Sequence, residues 1–344
     1  MTKSIVLKCE APSQAPCLTV DEDDLAHPVG TQVLVDVEAT SVNPIDVKRA
    51  GGYGQRLLSL KRAGRFPLVL GNDFAGVVRA VGDKASPWEP GQRVYGVLPP
   101  GPRGAHAATV LADARWLRAA PTSVSAQQLA ALPYSFTTMW QALRAAGLSA
   151  ENARDRRVLV HGASGGLGQL ALQVLRSWGA KVTAVCSTAH ADHCIALGAA
   201  EVLDRSQQPL TALEPRFDAT LNFASWPDDE FLRSRLKSGA LGHATTVHPL
   251  LEHVDRLGWL RGLHAAWSDL RRARAQLRQQ SPGARYQWVI FKPDATALES
   301  LDAFVRTGAL TLPTGLAVPF ARAHEAFEHV RAGRFGRALL LPRA

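Results

Sequence analysis

Seven consecutive residues, Gly162-Ala163-Ser164-Gly165-Gly166-Leu167-Gly168, have the types and spacing to seat a phosphate chain. A pyrophosphate must come close enough to the backbone for main-chain N–H groups at a helix start to bond its oxygens, and larger side chains would hold it off. Ala163 stands where the usual dinucleotide fingerprint has its first glycine, so the flanking segments carry much of the weight. Before the turn, Arg157 to His161 has the apolar centre Val158 to Val160, as expected of a strand buried on both faces. After it, Leu170, Ala171, Val174, Leu175 and Trp178 recur at three- and four-residue spacing along one helical face, and Gly179 supplies a stop. Lys181 to Cys186 reads as a second strand, completing strand, turn, helix and strand.

The end of that second strand bears on which dinucleotide is held. An NAD site usually offers Asp or Glu about 20 residues after the first glycine, to take the ribose hydroxyls. Here the segment is Cys186-Ser187-Thr188-Ala189-His190, and no acid follows until Asp192. Hydroxyls and a nearby cation suit a 2′-phosphate, which a carboxylate would repel. Arg205, after a further predicted strand from Glu201 to Asp204, supplies the cation, so NADPH is the expected cofactor.

At 344 residues the chain is long enough for about two domains, and 46% hydrophobic with 20% charged residues is the composition of a soluble globular protein. No amino-terminal segment combines basic residues, an apolar run and a cleavage site, and the longest uncharged stretch, Ala119 to Leu143, is too polar to span a bilayer. Four cysteines do not make a disulfide framework at this length, and a cytoplasmic location is expected. The net charge of +9 is partly concentrated at Arg261, Arg271, Arg272, Arg274 and Arg278, a segment able to attract polyanions but also readable as a solvated helix face.

Residues 1–124 contain short strand-like runs broken by Gly and Pro and read as a twisted, mostly antiparallel β domain. Helices and strands alternate from residue 125, which predicts an α/β domain with a doubly wound parallel sheet over 125–310. Leu250 to Gln280 reads as one long helical insertion, and residues 311–344 are expected to return to the first domain. Metal ligands do not converge: His324 and His329 are five residues apart, about 140° around a helix, and His190, His193 and Cys194 sit at a helix beginning. No metal is expected.

Several segments in order resemble the medium-chain dehydrogenase/reductase superfamily, in its zinc-free quinone oxidoreductase branch. They are Ser41-Val-Asn-Pro-Ile-Asp-Val-Lys48, Gly51-Gly-Tyr-Gly54, Phe66 to Val78, Leu132-Pro-Tyr134, Val158 to Gly168, Val182 to Ser187 and Tyr286-Gln-Trp288. Within the branch the chain looks most like the reticulon-interacting oxidoreductases. The resemblance implies a GroES-like β domain built from both chain ends around a Rossmann domain. It implies that Ser164, Gly165, Gly166 and Leu167 hold the pyrophosphate and Ser187 the 2′-phosphate. Thr138, Phe223 and Thr246 would lie along the rest of the cofactor. Relatives often have a tyrosine where Arg205 stands. Zinc-bearing relatives have a cysteine near the place of Asn43 and Gly-His-Glu in place of Gly71-Asn72-Asp73.

The reaction expected is direct hydride transfer to a quinone or an α,β-unsaturated carbonyl. Charge then develops on the substrate oxygen, and Asn43 through its amide and Tyr53 through its hydroxyl are the candidate donors. The resemblance also implies a homodimer. The competing class is a non-catalytic, crystallin-like protein that binds NADPH and RNA, and the enzyme is the favoured reading.

Overall fold

A computed structural model describes residues 2–343 of the chain. It divides into two compact units. One takes in the residues up to Tyr134, Val254–Gly258 and those from Lys292 onward, and the other Ser135–His253 and Trp259–Phe291.

The first unit is built on a strand of eleven residues, Gln32–Val42, which pairs antiparallel with Asp73–Val81, Thr109–Asp113 and Arg337–Leu341. Three partners leave little of it exposed, and Val33, Val35 and Val37 join Phe74, Val78, Val94 and Leu117 in one core. Arg93–Val97 and Leu117–Ala119 extend the sheet on one side, and Thr314–Pro319 on the other. The C-terminal strand joins this sheet, Ala338 to Leu340 pairing with Val42 to Thr40. Thr2–Cys9 joins Leu18–Leu25 and Leu68–Val69 in a smaller sheet.

The second unit holds six parallel strands in the order Glu201–Asp204, Lys181–Cys186, Arg157–His161, Ala219–Asn222, Gly242–Thr245, Arg285–Trp288. Numbered along the chain this is 3-2-1-4-5-6, the doubly wound Rossmann order, which reverses direction beside Arg157–His161. The helix Gly166–Ser177 lays Leu170, Ala171, Val174 and Leu175 against the sheet, all fully buried. Burial of each Leu or Val contributes about 1.5–3 kcal/mol. The fold is thus α/β, with a GroES-like β unit and a Rossmann unit.

Two stretches each hold a pair of helices, and one further helix is formed. The stretch from Ala126 to Ala145 holds two helices, Ala126–Ala130 and Pro133–Ala145, because Pro133 has no N–H to continue a helix but suits the first position of a new one. The long insertion is also two helices, Leu250–Leu257 and Trp259–Gln280, parted at Gly258 with φ +79°. A further helix forms at Ala295–Arg306, capped by Asp294, whose carboxylate accepts from the Ala297 amide at 3.1 Å.

Candidate active site

The glycine-rich turn leaves the C-terminal end of Arg157–His161, where the strand order reverses and where open α/β sheets bind ligands. Gly162 turns at φ +81°, and Gly168 packs so tightly that a Cβ there would fall 2.3 Å from the Gly162 carbonyl oxygen. Gly165 is different: it is exposed, and a Cβ on it would meet only that same oxygen, at 3.4 Å. One glycine closes the turn against the helix, whereas the other keeps the outer approach clear. The helix opening at Gly166 leaves its first N–H groups without intrahelical acceptors, and these form the positive end of the helix dipole.

The turn is braced from within by Gln169, almost fully buried, whose amide donates to the Ser164 carbonyl at 2.7 Å. Its side-chain oxygen lies 3.1 Å from His193 Nε2, which ties the turn to the helix Ala191–Leu197. Sequence reading passed over Gln169 because it sits on the apolar face and carries no charge.

The strands on either side bring further residues to the same end of the sheet. Phe223 follows Ala219–Asn222 and its amide donates to the His161 carbonyl at 3.0 Å, while the Thr246 amide donates to the Asn222 carbonyl at 3.1 Å. On the other side the Arg205 amide donates to the Cys186 carbonyl at 2.9 Å, which sets Arg205 beside the chain entering Ser187. Ser164 to Leu167, Ser187, Arg205, Phe223 and Thr246 thus share the C-terminal edge of five adjacent strands. Thr138 lies on the helix Pro133–Ala145 and is buried.

Two titratable groups at this edge had not been singled out. His161 Nε2 lies 3.0 Å from Asp228 Oδ2, and burial holds the imidazole below its ordinary pKa, so that it is neutral at pH 7. Asp204 ends the Glu201–Asp204 strand, and its carboxylate accepts from the Thr188 hydroxyl and from the Ser206 amide at 2.9 Å. The Thr188 hydroxyl is the main cause that holds Asp204 below the usual carboxylate range. The acid sought at the end of the second strand therefore stands at the end of the third.

A second polar cluster lies inside the Rossmann sheet. Thr220, His243 and Tyr286 are in register on neighbouring strands. Thr220 Oγ1 is 2.7 Å from His243 Nδ1, and His243 Nε2 is 2.8 Å from Asp229 Oδ1. The Tyr286 hydroxyl donates to Asp229 Oδ2 at 2.8 Å and Arg233 Nε does so at 3.1 Å. Burial alone would raise the Asp229 pKa, but His243, Tyr286 and Arg233 outweigh it and hold the carboxylate well below its ordinary range. Hydroxyl, imidazole and carboxylate in sequence suggest a nucleophilic relay, yet Thr220 and His243 have no exposed surface and a substrate has no access. The cluster fastens the last three strands to the helix Asp229–Ser234.

In the GroES-like unit, Gln32–Val42 runs directly into Asn43 and the helix Pro44–Ala50. Asn43 has no exposed surface. Its amide group donates to Ser41 Oγ at 3.1 Å and Asp73 Oδ1 at 3.2 Å, and its side-chain oxygen accepts from Arg337 at 2.5 Å. Ser41 donates to Asp73 Oδ1 at 2.6 Å and accepts from Arg337 at 3.1 Å. Both amide hydrogens of Asn43 are committed, which leaves none for a substrate oxygen. Burial pushes the Asp73 carboxyl up to about 6, with the Arg337 charge opposing the rise. Asp46 accepts from the main-chain N–H of Asn43 at 2.8 Å and of Gly71 at 3.0 Å, so it holds the two segments together.

Tyr53 is half-buried in the turn after Pro44–Ala50. Its amide donates to the Lys48 carbonyl at 3.0 Å, and Lys48 Nζ lies 5.5 Å from its ring centre. Among the described residues no three His, Cys, Asp or Glu side chains are grouped to hold a metal ion.

Residues 30–122 match the model of the alcohol dehydrogenase GroES-like domain. The chain is 34% identical over 317 residues to the mitochondrial NAD(P)H oxidoreductase RTN4IP1 of Mus musculus, covering 88% of this chain and 79% of that one. The Homo sapiens protein of the same name matches equally, at 34% over 317 residues. Among solved structures, the quinone oxidoreductase of Coxiella burnetii superposes with a TM-score of 0.83 at 21% identity, covering 99% of this chain and all of that one, a likeness of fold. The expectation of a cytoplasmic protein is overturned by these relatives, whose names place them in mitochondria. The chain belongs to the medium-chain dehydrogenase/reductase superfamily, in the family of the RTN4IP1 NAD(P)H oxidoreductases.

Proposed function

We propose that the protein transfers hydride from NADPH to a quinone or an α,β-unsaturated carbonyl without a catalytic zinc. The observation that carries this reading is the open helix mouth at Gly165 to Leu167, set where the strand order reverses, with Ser187 and Arg205 at the ends of the adjacent strands. That mouth fits a pyrophosphate because Gly165 is exposed and a Cβ on it would meet only the Gly162 carbonyl oxygen. The relatives, named NAD(P)H oxidoreductases, support the nicotinamide.

When bound, NADPH supplies a hydride, and a proton from the protein or solvent completes the two-electron reduction. The N–H groups of Gly166 and Leu167 bond the pyrophosphate, and Ser187 and Arg205 take the 2′-phosphate. Thr138, Phe223 and Thr246 orient the rest of the cofactor. Tyr53 donates its hydroxyl proton toward the substrate oxygen as negative charge develops there, a contribution of about 3–4 kcal/mol for one well-placed donor. Asn43 acts through its neighbours, positioning the loop that carries Tyr53.

The reading without zinc rests on donor chemistry. The buried Arg337 guanidinium already binds Asn43 and Ser41, and its charge disfavours a second cation there. A homodimer is proposed through Arg285–Trp288, the last strand of the Rossmann sheet, which among the described residues pairs on one side only. The test of function is NADPH oxidation by chelator-treated protein with a quinone, an enone and an enoyl thioester as acceptors. Turnover with the first or second supports the proposal, and turnover with none of them contradicts it.

A further inference from the structure

The helix Trp259–Gln280 has two unlike halves on its outer side. Gly262, Ala266, Ala273 and Leu277 form its buried face. Away from that face, Leu260, Leu263, Trp267, Arg271, Arg274 and Arg278 follow one line, at spacings of three or four residues. The first three are exposed at 88%, 43% and 54%, which is unusual for large apolar side chains placed together on one helix edge. The last three continue the line as cations, and Arg271 lies over the Trp267 ring at 5.1 Å, joining the halves.

Charge is not balanced locally. The helix has five arginines, with Arg261 and Arg272 beside those in line, against the single acid Asp269. That carboxylate is already 2.9 Å from His253 Nε2. A surface that accepts both halves must offer an apolar layer next to a dense array of anions. A lipid bilayer with anionic headgroups does so within a few ångströms of depth. A second copy of this chain that meets this face by a two-fold contact brings the same five arginines and, from the helix, only Asp269 as an anion. An RNA strand meets the arginines and leaves Leu260 and Leu263 in water.

We propose that Trp259–Gln280 is a peripheral docking surface for an anionic membrane. Leu260, Leu263 and Trp267 enter the interfacial layer, and Arg271, Arg274 and Arg278 pair with lipid phosphates. No helix among the described residues is long and apolar enough to cross a bilayer, so the association lies in the plane of the membrane. The proposal is independent of the redox reading and stands or falls without it.

The full chain is sedimented with vesicles of phosphatidylcholine, pure or with about 30% phosphatidylglycerol, at low and at physiological salt. Binding to the anionic vesicles is expected, about tenfold or more weaker on the neutral ones, and weakened by salt. The Leu260→Ser/Trp267→Ser variant and the Arg271→Gln/Arg278→Gln variant should each lose about tenfold in partitioning. Both should keep the NADPH-oxidising activity of the parent in solution without vesicles. Four results would overturn the proposal: no binding to anionic vesicles, equal binding to both kinds, unchanged partitioning of the serine variant, or its conversion of a dimer to a monomer. A single-stranded RNA that displaces the vesicles and still binds the serine variant fully would reassign the face to a polyanion.

Discussion

Arg337 and Asn43 are 294 residues apart in sequence and 2.5 Å apart in space, joined by a hydrogen bond with no exposed surface on the Asn43 side. The bond fastens the returning C-terminal strand to the point where Gln32–Val42 ends and the loop bearing Tyr53 begins. It also keeps a positive charge beside Asp73, which shares Ser41 and Asn43 with it.

Removing the cation leaves that carboxylate buried without compensation. The Arg337→Met variant should lose about 3–5 kcal/mol of unfolding free energy at pH 7.5, measured by urea denaturation. A loss under about 1 kcal/mol would show that the charges are not coupled.

Asp73 also gives stability a pH dependence of definite sign. Its carboxyl is raised from 3.8 to about 6 in the folded chain, so its contribution is fully present below pH 3.8 and lost as pH rises through 6. The span corresponds to about 3 kcal/mol. Relative to Asp73→Asn, which does not titrate there, the parent should gain stability by that order between pH 7 and pH 4. Parallel pH profiles for the two proteins would contradict the assignment.

The phosphate seat separates two glycines by mechanism. Gly168→Ala places a Cβ 2.3 Å from a carbonyl oxygen and should lower Tm as well as cofactor affinity. Gly165→Val has room within the fold but blocks the outer approach, so NADPH binding should weaken about tenfold or more with little change in Tm. Calorimetry with thermal melts distinguishes the pair, and unaltered binding in both would remove the turn from cofactor recognition.

Cofactor choice should follow Arg205 and Asp204 in opposite directions. Arg205→Ala is expected to raise the Kd for NADPH about tenfold and leave that for NADH nearly unchanged. Asp204→Asn, which removes a negative charge from the same edge, should strengthen NADPH binding. Equal losses for both cofactors in Arg205→Ala would sink the 2′-phosphate assignment.

Tyr53 and Asn43 should part company kinetically. Tyr53→Phe is expected to lower kcat about a hundredfold or more with an unchanged melting temperature. Asn43→Ala should instead lower stability, because it strands Arg337 and Asp73, with its effect on turnover secondary. Unchanged turnover in Tyr53→Phe would take its hydroxyl out of the chemistry.

What could be read from sequence was local. The period of Leu170, Val174 and Leu175, the apolar run before Gly162 and the spacing of the glycines fixed strand, turn and helix within a residue or two. Pro133 and Gly258 were visible as breakers, but apolar spacing on both sides of each suggested one helix where there are two. The contacts that decide residue roles are distant. Nothing near Asn43 tells that its amide hydrogens are taken by Ser41 and Asp73 and its oxygen by Arg337, and nothing near Ser187 tells that Asp204 reaches Thr188. Tyr286 and Trp288 carried the resemblance, yet their part in holding Asp229 emerges only when three strands are laid side by side.

Central to the proposed function is a helix mouth that grips the phosphates of NADPH and presents its hydride without help from a metal. The direct measurement is calorimetric titration of chelator-washed protein with NADPH and with NADH, followed by stopped-flow oxidation of the bound cofactor by a quinone. A Kd for NADPH at least about tenfold below that for NADH, with oxidation at full rate in the absence of zinc, is the predicted result. Failure of either nucleotide to bind, or oxidation that begins only when zinc is restored, would contradict it.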